Sequence, residues 1–173
     1  MIILEGPDNV GKTVAAKKLV GMVPGGHYVH YSKPPDGFDY WFDYLKDLNP
    51  GVVLDRFHLG AIAYGTILGG HEHTVSRVQW ACLMRMLRYM GAMTVIMYDS
   101  NEESYCKRVA GTTREEMYSA EKQKIVNRVY RTLATAHIET GVPYCDLRYD
   151  LAEHGFPTDE TLQSWIDAQK DMA

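Results

Sequence analysis

The segment Gly6-Pro7-Asp8-Asn9-Val10-Gly11-Lys12-Thr13 constrains this chain more than any other stretch of it. Two glycines with four residues between them are followed at once by a lysine and a threonine. The segment comes straight after the apolar run Ile2-Ile3-Leu4 and opens a stretch with helical character, which is the strand-to-helix context that this pattern needs to be meaningful. Gly6 and Gly11 permit the backbone angles of a loop that curls around an anion, and the free N–H groups of the helix start point into the curl. In such a loop Lys12 reaches the β- and γ-phosphates of a nucleotide, and Thr13 offers its hydroxyl to Mg2+. A ligand-free glycine turn is the competing reading, and the position after the first strand of an α/β pattern argues against it.

That pattern runs through the chain. Short runs rich in β-branched or aromatic residues, bounded by Gly, Pro or Asp, predict strands over 2–5, 27–31, 51–55, 93–98 and 142–147, the last on the weakest signal. Amphipathic stretches predict helices over 12–22, 38–48, 59–68, 74–89, 102–109, 120–139 and 158–170. In the fourth helix Val75, Val78, Cys82, Met86 and Tyr89 share one face, a spacing that suits either core or a homodimer contact. The last helix has Thr158 as its cap and Leu162, Trp165 and Ile166 as its buried stripe. Strands that are apolar nearly throughout predict a parallel sheet covered on both faces, an α/β sandwich of three layers.

A chain of 173 residues suits one domain. Its 22 acidic and 18 basic side chains include no basic tail, so a polymeric nucleic acid is not an expected partner and any bound anion must be held by a local cluster. Cys82, Cys106 and Cys145 are scattered and odd in number, neither a disulfide framework nor a metal spacing, and packed, reduced thiols are expected. The opening lacks the features of a secretory signal, and the longest later apolar stretch is far short of the roughly 20 residues that span a bilayer. A cytoplasmic protein without a membrane partner is the expectation.

A second anion site is predicted where Asp55 and Arg56 leave an inner strand, since ligands of open α/β sheets collect at the carboxyl ends of strands. The carboxylate can hold Mg2+ or a water bound to it, and the guanidinium can clamp a phosphate. A local salt bridge capping the next helix is the alternative. Two phosphate sites on one sheet imply transfer between them, which calls for cations around the γ-phosphorus and a cover that excludes water. Lys107, Arg108 and Arg114, on either side of the break at Gly111-Thr112-Thr113, form a candidate lid over 107–118; each is also read as a solvated surface charge. His71 and His73 flank Glu72 without further metal ligands nearby. His58 either touches the site or hydrogen-bonds at a helix start.

The motif LEGPDNVGKT, the run VVLDRFHLGAIAYG, the strand MTVIMYDSNEE and the later YRTLA resemble thymidylate kinases, especially compact phage-type ones, among the nucleoside monophosphate kinase-like P-loop proteins. The correspondence covers roughly residues 1 to 147. The resemblance implies a three-layer P-loop NTPase fold with a parallel five-stranded sheet in the order 2-3-1-4-5, and transfer of the γ-phosphoryl of ATP, with Mg2+, to dTMP or a related deoxynucleoside monophosphate. If the chain is phage-encoded, its place is the host cytoplasm. The donor site would comprise Gly6, Asn9, Val10, Gly11, Lys12, Thr13 and Val14, with Thr13 and Asp55 near the metal. Lys12, Arg56, Arg108 and Arg114 would act on the transferring group. Asp8 matches a carboxylate near the 3′-hydroxyl of the acceptor sugar, Arg56 an arginine on the acceptor phosphate, and Tyr64 a residue beside the acceptor base or sugar.

The chain departs from that family in several places. Val14 stands where a second hydroxyl is usual, Lys33-Pro34 replaces Glu-Pro, and no arginine-bearing helix stacks on thymine. Phe38, Trp41 or Phe42 could stack a base instead, though aromatic residues at helical spacing also suit a core. Arg128 and Arg131 are out of the family's register, with Arg128 still able to reach a phosphate. The acceptor base is therefore open among dTMP, dUMP, dGMP and a modified pyrimidine. A deoxynucleoside kinase is the main alternative, kept alive by Asp36 and disfavoured by Lys33. A P-loop regulator or ATPase, and a polynucleotide kinase, are the alternatives of other kinds.

Overall fold

In the computed structural model, which describes residues 1–32, 39–68, 76–112, 118–136 and 143–172, the chain alternates strands and helices. The order is β1 (Ile2–Glu5), α1 (Lys12–Met22), β2 (His27–His30), α2 (Tyr40–Lys46), β3 (Val52–Asp55), α3 (His58–Leu68), α4 (Arg77–Tyr89), β4 (Met93–Tyr98), α5 (Glu102–Ala110), α6 (Ala120–Thr135), β5 (Leu147–Asp150), α7 (Leu151–His154) and α8 (Asp159–Met172). The strands form one sheet in the order β2-β3-β1-β4-β5, and every neighbouring pair is parallel.

The pleat sorts the apolar residues of the inner strands into two cores. Ile2, Leu4, Val53, Met93, Val95 and Met97 face one side, where α1, α5 and α8 bury Ala15, Leu19, Tyr105, Leu162, Trp165 and Ile166 against them. Ile3, Val52 and Leu54 face the other, under Tyr44 of α2 and Leu83, Met84 and Leu87 of α4. Ile96 and Tyr98 continue that side beneath α3 and α6 through Leu59, Ala63, Val126, Tyr130 and Leu133. Runs apolar at every position are thus explained by a sheet covered on both faces, giving the three layers.

Several boundaries differ from the sequence expectation. The fifth strand is Leu147–Asp150, not 142–147. The apolar residues before it are accounted for by packing: Cys145 is buried in the α3–α6 core, and Tyr144 lies against Trp80 with ring centroids 5.9 Å apart. Pairing with β4 begins only at Leu147 opposite Val95, and because β5 is an edge strand Arg148 can face water. The fourth helix starts at Arg77, behind a reciprocal capping box between Ser76 and Gln79. Its apolar line Val78, Cys82, Met86 and Tyr89 is exposed, whereas Leu83, Met84 and Leu87 are the buried ones. Cys82 is accordingly an exposed thiol, Cys106 is half-buried and only Cys145 of the three is packed away. The final helix keeps its expected stripe, with the Thr161 N–H donating to Thr158 Oγ1 at 3.3 Å. Among the described residues no helix is long and apolar enough to cross a membrane.

Candidate active site

Because the strands are parallel, their carboxyl ends form one edge, and β1 lies between β3 and β4, where the chain's crossovers reverse direction along the sheet. A crevice outside that switch point is where such sheets bind ligands. The loop after β1 is built for close approach. Gly6 has φ 149°, and a Cβ there would sit 2.2 Å from the carbonyl oxygen of Met97, so only glycine lets the loop leave β1 against β4. Asn9 (φ 60°) and Gly11 (φ 84°) then turn the backbone into the start of α1. Helix α1 has no side-chain cap and no acidic residue in its first turn, so its N–H groups are left for an anion.

Lys12 is buried and donates to the Pro7 carbonyl within the same loop. Burial, followed by the nearby charge of Arg56, lowers its pKa to about 8, while Asp55, Asp8 and Glu5 act in the opposite direction. One residue on, Thr13 Oγ1 donates to Asp55 Oδ2 at 2.6 Å. The same oxygen accepts from Tyr28 at 2.9 Å and lies 3.1 Å from His30 Nδ1, both on β2. Burial alone would raise the Asp55 pKa; the His30 hydrogen bond, the Lys12 charge and the bonds from Thr13 and Tyr28 outweigh it and hold the group ionised well below the ordinary carboxylate range. Its second oxygen, Oδ1, is buried with no hydrogen-bond partner among the described residues. A hydroxyl and an ionised carboxylate with a free oxygen form a hard, all-oxygen donor set, which fits Mg2+.

Arg56 follows at φ 65°, an uncommon conformation for a residue with a Cβ. Its N–H still donates to the Leu4 carbonyl at 2.8 Å, so the turn swings the side chain toward the loop while the strand stays paired. The guanidinium pairs with Asp8, lies 5.1 Å from the centre of the Tyr64 ring, and keeps a buried Nε without a hydrogen-bond partner among the described residues. The other Asp8 oxygen accepts from Gln123 Nε2 at 2.5 Å. The two segments predicted to hold anions therefore adjoin: the glycine loop touches the Asp55–Arg56 corner both through Thr13 and through Asp8.

Glu5 underlies this corner. Fully buried, it accepts from the N–H groups of Phe57 (3.1 Å) and Leu59 (2.8 Å) at the start of α3, and from the Tyr130 hydroxyl of α6 (3.0 Å). Burial raises its pKa to about 7 against those bonds and the Lys12 charge. His58, at the start of α3, is fully buried beside Phe57 and Trp80; its ring nitrogens make no hydrogen bond among the described residues, Nδ1 lies 3.9 Å from Glu5 Oε1, and burial lowers its pKa to about 3.

On the other flank, Arg108 donates to Asp99 Oδ2 at 2.5 Å and to Ser104 Oγ at 3.2 Å, and its guanidinium stands 5.7 Å from the centre of the Phe156 ring. Phe156, 55% exposed, packs so closely on Gly11 that a Cβ there would come within 2.8 Å of it. Asn9 Nδ2 donates to Thr112 Oγ1 at 3.1 Å, joining the glycine loop to the chain just past α5. Lys107 instead pairs with Glu103 on the exposed face of α5.

The remaining expected residues are distributed as follows. Trp41 packs partly buried against the core under α2, and Phe42 is exposed. Arg128 makes a two-pronged pair with Glu102 (2.5 and 2.7 Å) on the surface, away from the cleft contacts. Val10 is buried beneath the loop and Val14 is exposed on α1. Lys33, Phe38, Arg114 and the His71–Glu72–His73 stretch lie outside the described residues. Gln123, Tyr130, Asp99, His30 and Phe156 were not expected. The first two carried one signal, polar side chains on the buried face of α6.

No protein-family model matches the chain, and no curated protein matches it. Solved structures do. The YorR protein of Bacillus subtilis, solved in complex with phosphorylated GDP, aligns over 98% of this chain and 95% of its own at 18% identity, with a TM-score of 0.71. Thymidylate kinase from Candida albicans aligns over 99% and 92% at 17% identity and a TM-score of 0.60. Deoxyadenosine kinase from M. mycoides aligns over 98% of both chains at 13% identity and 0.52. The likeness is one of fold, an α/β chain whose five parallel strands here run in the order 2-3-1-4-5.

Proposed function

We propose that this chain is a deoxynucleoside monophosphate kinase, transferring the γ-phosphoryl of ATP to dTMP or a related deoxynucleotide to give ADP and the diphosphate. The observation that supports the reading is the contact of the glycine loop with the Asp55–Arg56 corner, with Thr13 bonded to Asp55 and Asp8 paired with Arg56.

The loop from Gly6 to Thr13 wraps the donor phosphates. Lys12 leaves the Pro7 carbonyl for the β- and γ-oxygens, where its charge is worth most in a buried setting. Thr13 and Asp55 would hold Mg2+, which neutralises charge on the phosphates. Phe156 offers its exposed ring, with Arg108 alongside, to the donor base. Arg56 turns its unpartnered Nε to the acceptor phosphate, and Asp8 with Tyr64 lines the sugar side. Closure of the 107–118 segment, already tied to the loop through Asn9 and Thr112, would bring Arg108 and Arg114 to the transferring group and keep water out. Lys33, Phe38 and Trp41 are assigned to the acceptor, the first to its phosphate and the other two to its base.

A nucleoside acceptor would need a carboxylate free to take the proton of a 5′-hydroxyl. Of the nearby carboxylates, Glu5 is occupied by three hydrogen bonds, Asp8 is ion-paired with Arg56, and Asp55 is assigned to the cation. A monophosphate is already an anionic nucleophile and needs cations, which Arg56 and Lys12 supply. The test is ADP formation from ATP with each deoxynucleoside monophosphate, each nucleoside and no acceptor. Turnover with nucleosides alone would move the reading to a nucleoside kinase; acceptor-independent turnover would make the chain an ATPase.

A further inference from the structure

Helix α6 carries an unusual buried face. Gln123, Asn127 and Tyr130, at i, i+4 and i+7, are each within 1% of full burial and each reach the carboxyl edge of the sheet, at Asp8, Asp99 and Glu5. Tyr130 bonds Glu5. Asn127 takes the Asp99 N–H on its Oδ1 at 3.1 Å and donates to the Asp99 carbonyl at 2.8 Å, so it fixes backbone only. Gln123 differs from both, because its target is a side chain that faces the cleft. Its Nε2 donates to Asp8 Oδ2 at 2.5 Å, while its Oε1 accepts from the buried Tyr105 hydroxyl at 3.3 Å. The hydroxyl on one end and the carboxylate on the other leave the amide one workable orientation, since turning it over would set its oxygen against the carboxylate.

We propose that Gln123 is a positioning residue for the acceptor: it fixes the Asp8 carboxylate, and through Asp8 sets how strongly the enzyme requires a hydroxyl on the acceptor sugar. The proposal rests on the monophosphate kinase reading. Asp8 is held from both sides, by Arg56 on Oδ1 and Gln123 on Oδ2, and its side chain is 23% exposed. Each carboxylate oxygen accepts more than one hydrogen bond, so a sugar hydroxyl can still donate to a carboxylate whose direction is already set. Without Gln123 the carboxylate keeps Arg56 and the neighbouring Tyr64 hydroxyl but loses the fixed donor on Oδ2, so it can turn with the arginine toward the acceptor phosphate. The hydroxyl then meets a mobile partner and its contribution to discrimination falls. The same side chain joins α6 directly to the glycine loop at Asp8 and to α5 at Tyr105.

The experiment measures kcat/KM for dTMP and for dGMP, each beside its 2′,3′-dideoxy counterpart, in the full chain and in Gln123→Met and Gln123→Glu, with KM for ATP and a thermal melt for each protein. Loss of a hydrogen bond to a charged group corresponds to roughly a tenfold change or more. The wild type should prefer the 3′-hydroxyl by about that factor, and Gln123→Met should reduce the preference to within about twofold while KM for ATP stays within about twofold. Gln123→Glu sets a second carboxyl against Asp8, and the pair favours sharing a proton, so its preference should recover as pH falls. Retention of the wild-type preference in Gln123→Met would overturn the proposal. So would equal losses for ATP and acceptor with a lowered melting temperature, the mark of a purely structural amide. Wild-type turnover without a 3′-hydroxyl preference would overturn this inference alone, whereas a wild type that turns over neither monophosphate nor its dideoxy form would remove the kinase reading along with it.

Discussion

Thr13 and Asp55, 42 residues apart, meet at one oxygen: the threonine hydroxyl donates to Asp55 Oδ2 at 2.6 Å, and Asp55 Oδ1 is left buried and unpartnered among the described residues. The first turn of α1 and the end of β3 are thereby joined through their oxygen atoms.

Asp55→Asn should raise the Mg2+ concentration needed for half-maximal turnover by about tenfold or more, because a neutral amide forfeits the charge held for the cation. The three neighbours on Oδ2 can keep an amide oxygen as acceptor, so the melting temperature should hold. The check is a Mg2+ titration of initial rate beside a thermal melt.

Lys12→Ala should lower turnover by about a hundredfold or more, the scale for removing a preorganised charge from a transferring group. In the free protein burial lowers the Lys12 pKa to about 8, so the side chain is a cation below that pH and neutral above it. ATP affinity should therefore fall as pH rises from 7 to 9 in the wild type, and the fall should be absent in Lys12→Ala. Calorimetric binding at several pH values reads both effects.

Arg56→Ala should weaken the acceptor by about a hundredfold with ATP affinity nearly unchanged, since the guanidinium is proposed to clamp the acceptor phosphate. Lysine should rescue little of this, for it lacks the fork that serves Asp8 and a phosphate together. Separate KM values for the two substrates distinguish this from a general loss.

Glu5 ties β1 to α3 and α6, and its pKa is raised from 4.5 to about 7 in the folded protein by burial. Between those pH values the unfolded chain has lost a proton that the folded chain still holds, so stability falls as pH rises through the window, by on the order of 3 kcal/mol. Glu5→Gln keeps acceptors for Phe57 and Leu59 and cannot ionise. Its urea unfolding free energy should be flatter than that of the wild type from pH 4.5 to 7, and higher at pH 8.

Gly6→Ala should destabilise the fold by about 2 kcal/mol or more and abolish ATP binding, because the added methyl meets the Met97 carbonyl and has no room at φ 149°. Chemical denaturation and ATP calorimetry together test it.

Much of the glycine loop and of the corner it touches was legible in the sequence because the signal is local. Gly6, Gly11, Lys12 and Thr13 lie within eight residues of one another, and Asp55-Arg56 announces itself by leaving an apolar strand. The sheet order was legible only through family likeness. What escaped was long-range. Gln123 reaches Asp8 across 115 residues, and Tyr130 reaches Glu5 across 125, and no local pattern names such partners. A polar line on the buried side of α6 could have flagged that something polar lay opposite. Helix α4 misled for another reason. It carries two apolar lines, and periodicity alone cannot tell that Leu83, Met84 and Leu87 face the sheet while Val78, Cys82 and Tyr89 face out. At β5 the apolar residues of 143–145 pack against α3, α4 and α6, and the strand itself is the more polar edge segment that follows.

The central claim is that donor and acceptor anions lie end to end in a single cleft. A bisubstrate compound joining adenosine to thymidine through five phosphates tests it by calorimetry. Linking two ligands whose sites adjoin makes the second binding step intramolecular, and the compound should bind at least about a hundredfold more tightly than ATP, with the gain lost in Arg56→Ala. An affinity no better than that of ATP, or a gain that survives Arg56→Ala, would contradict the account.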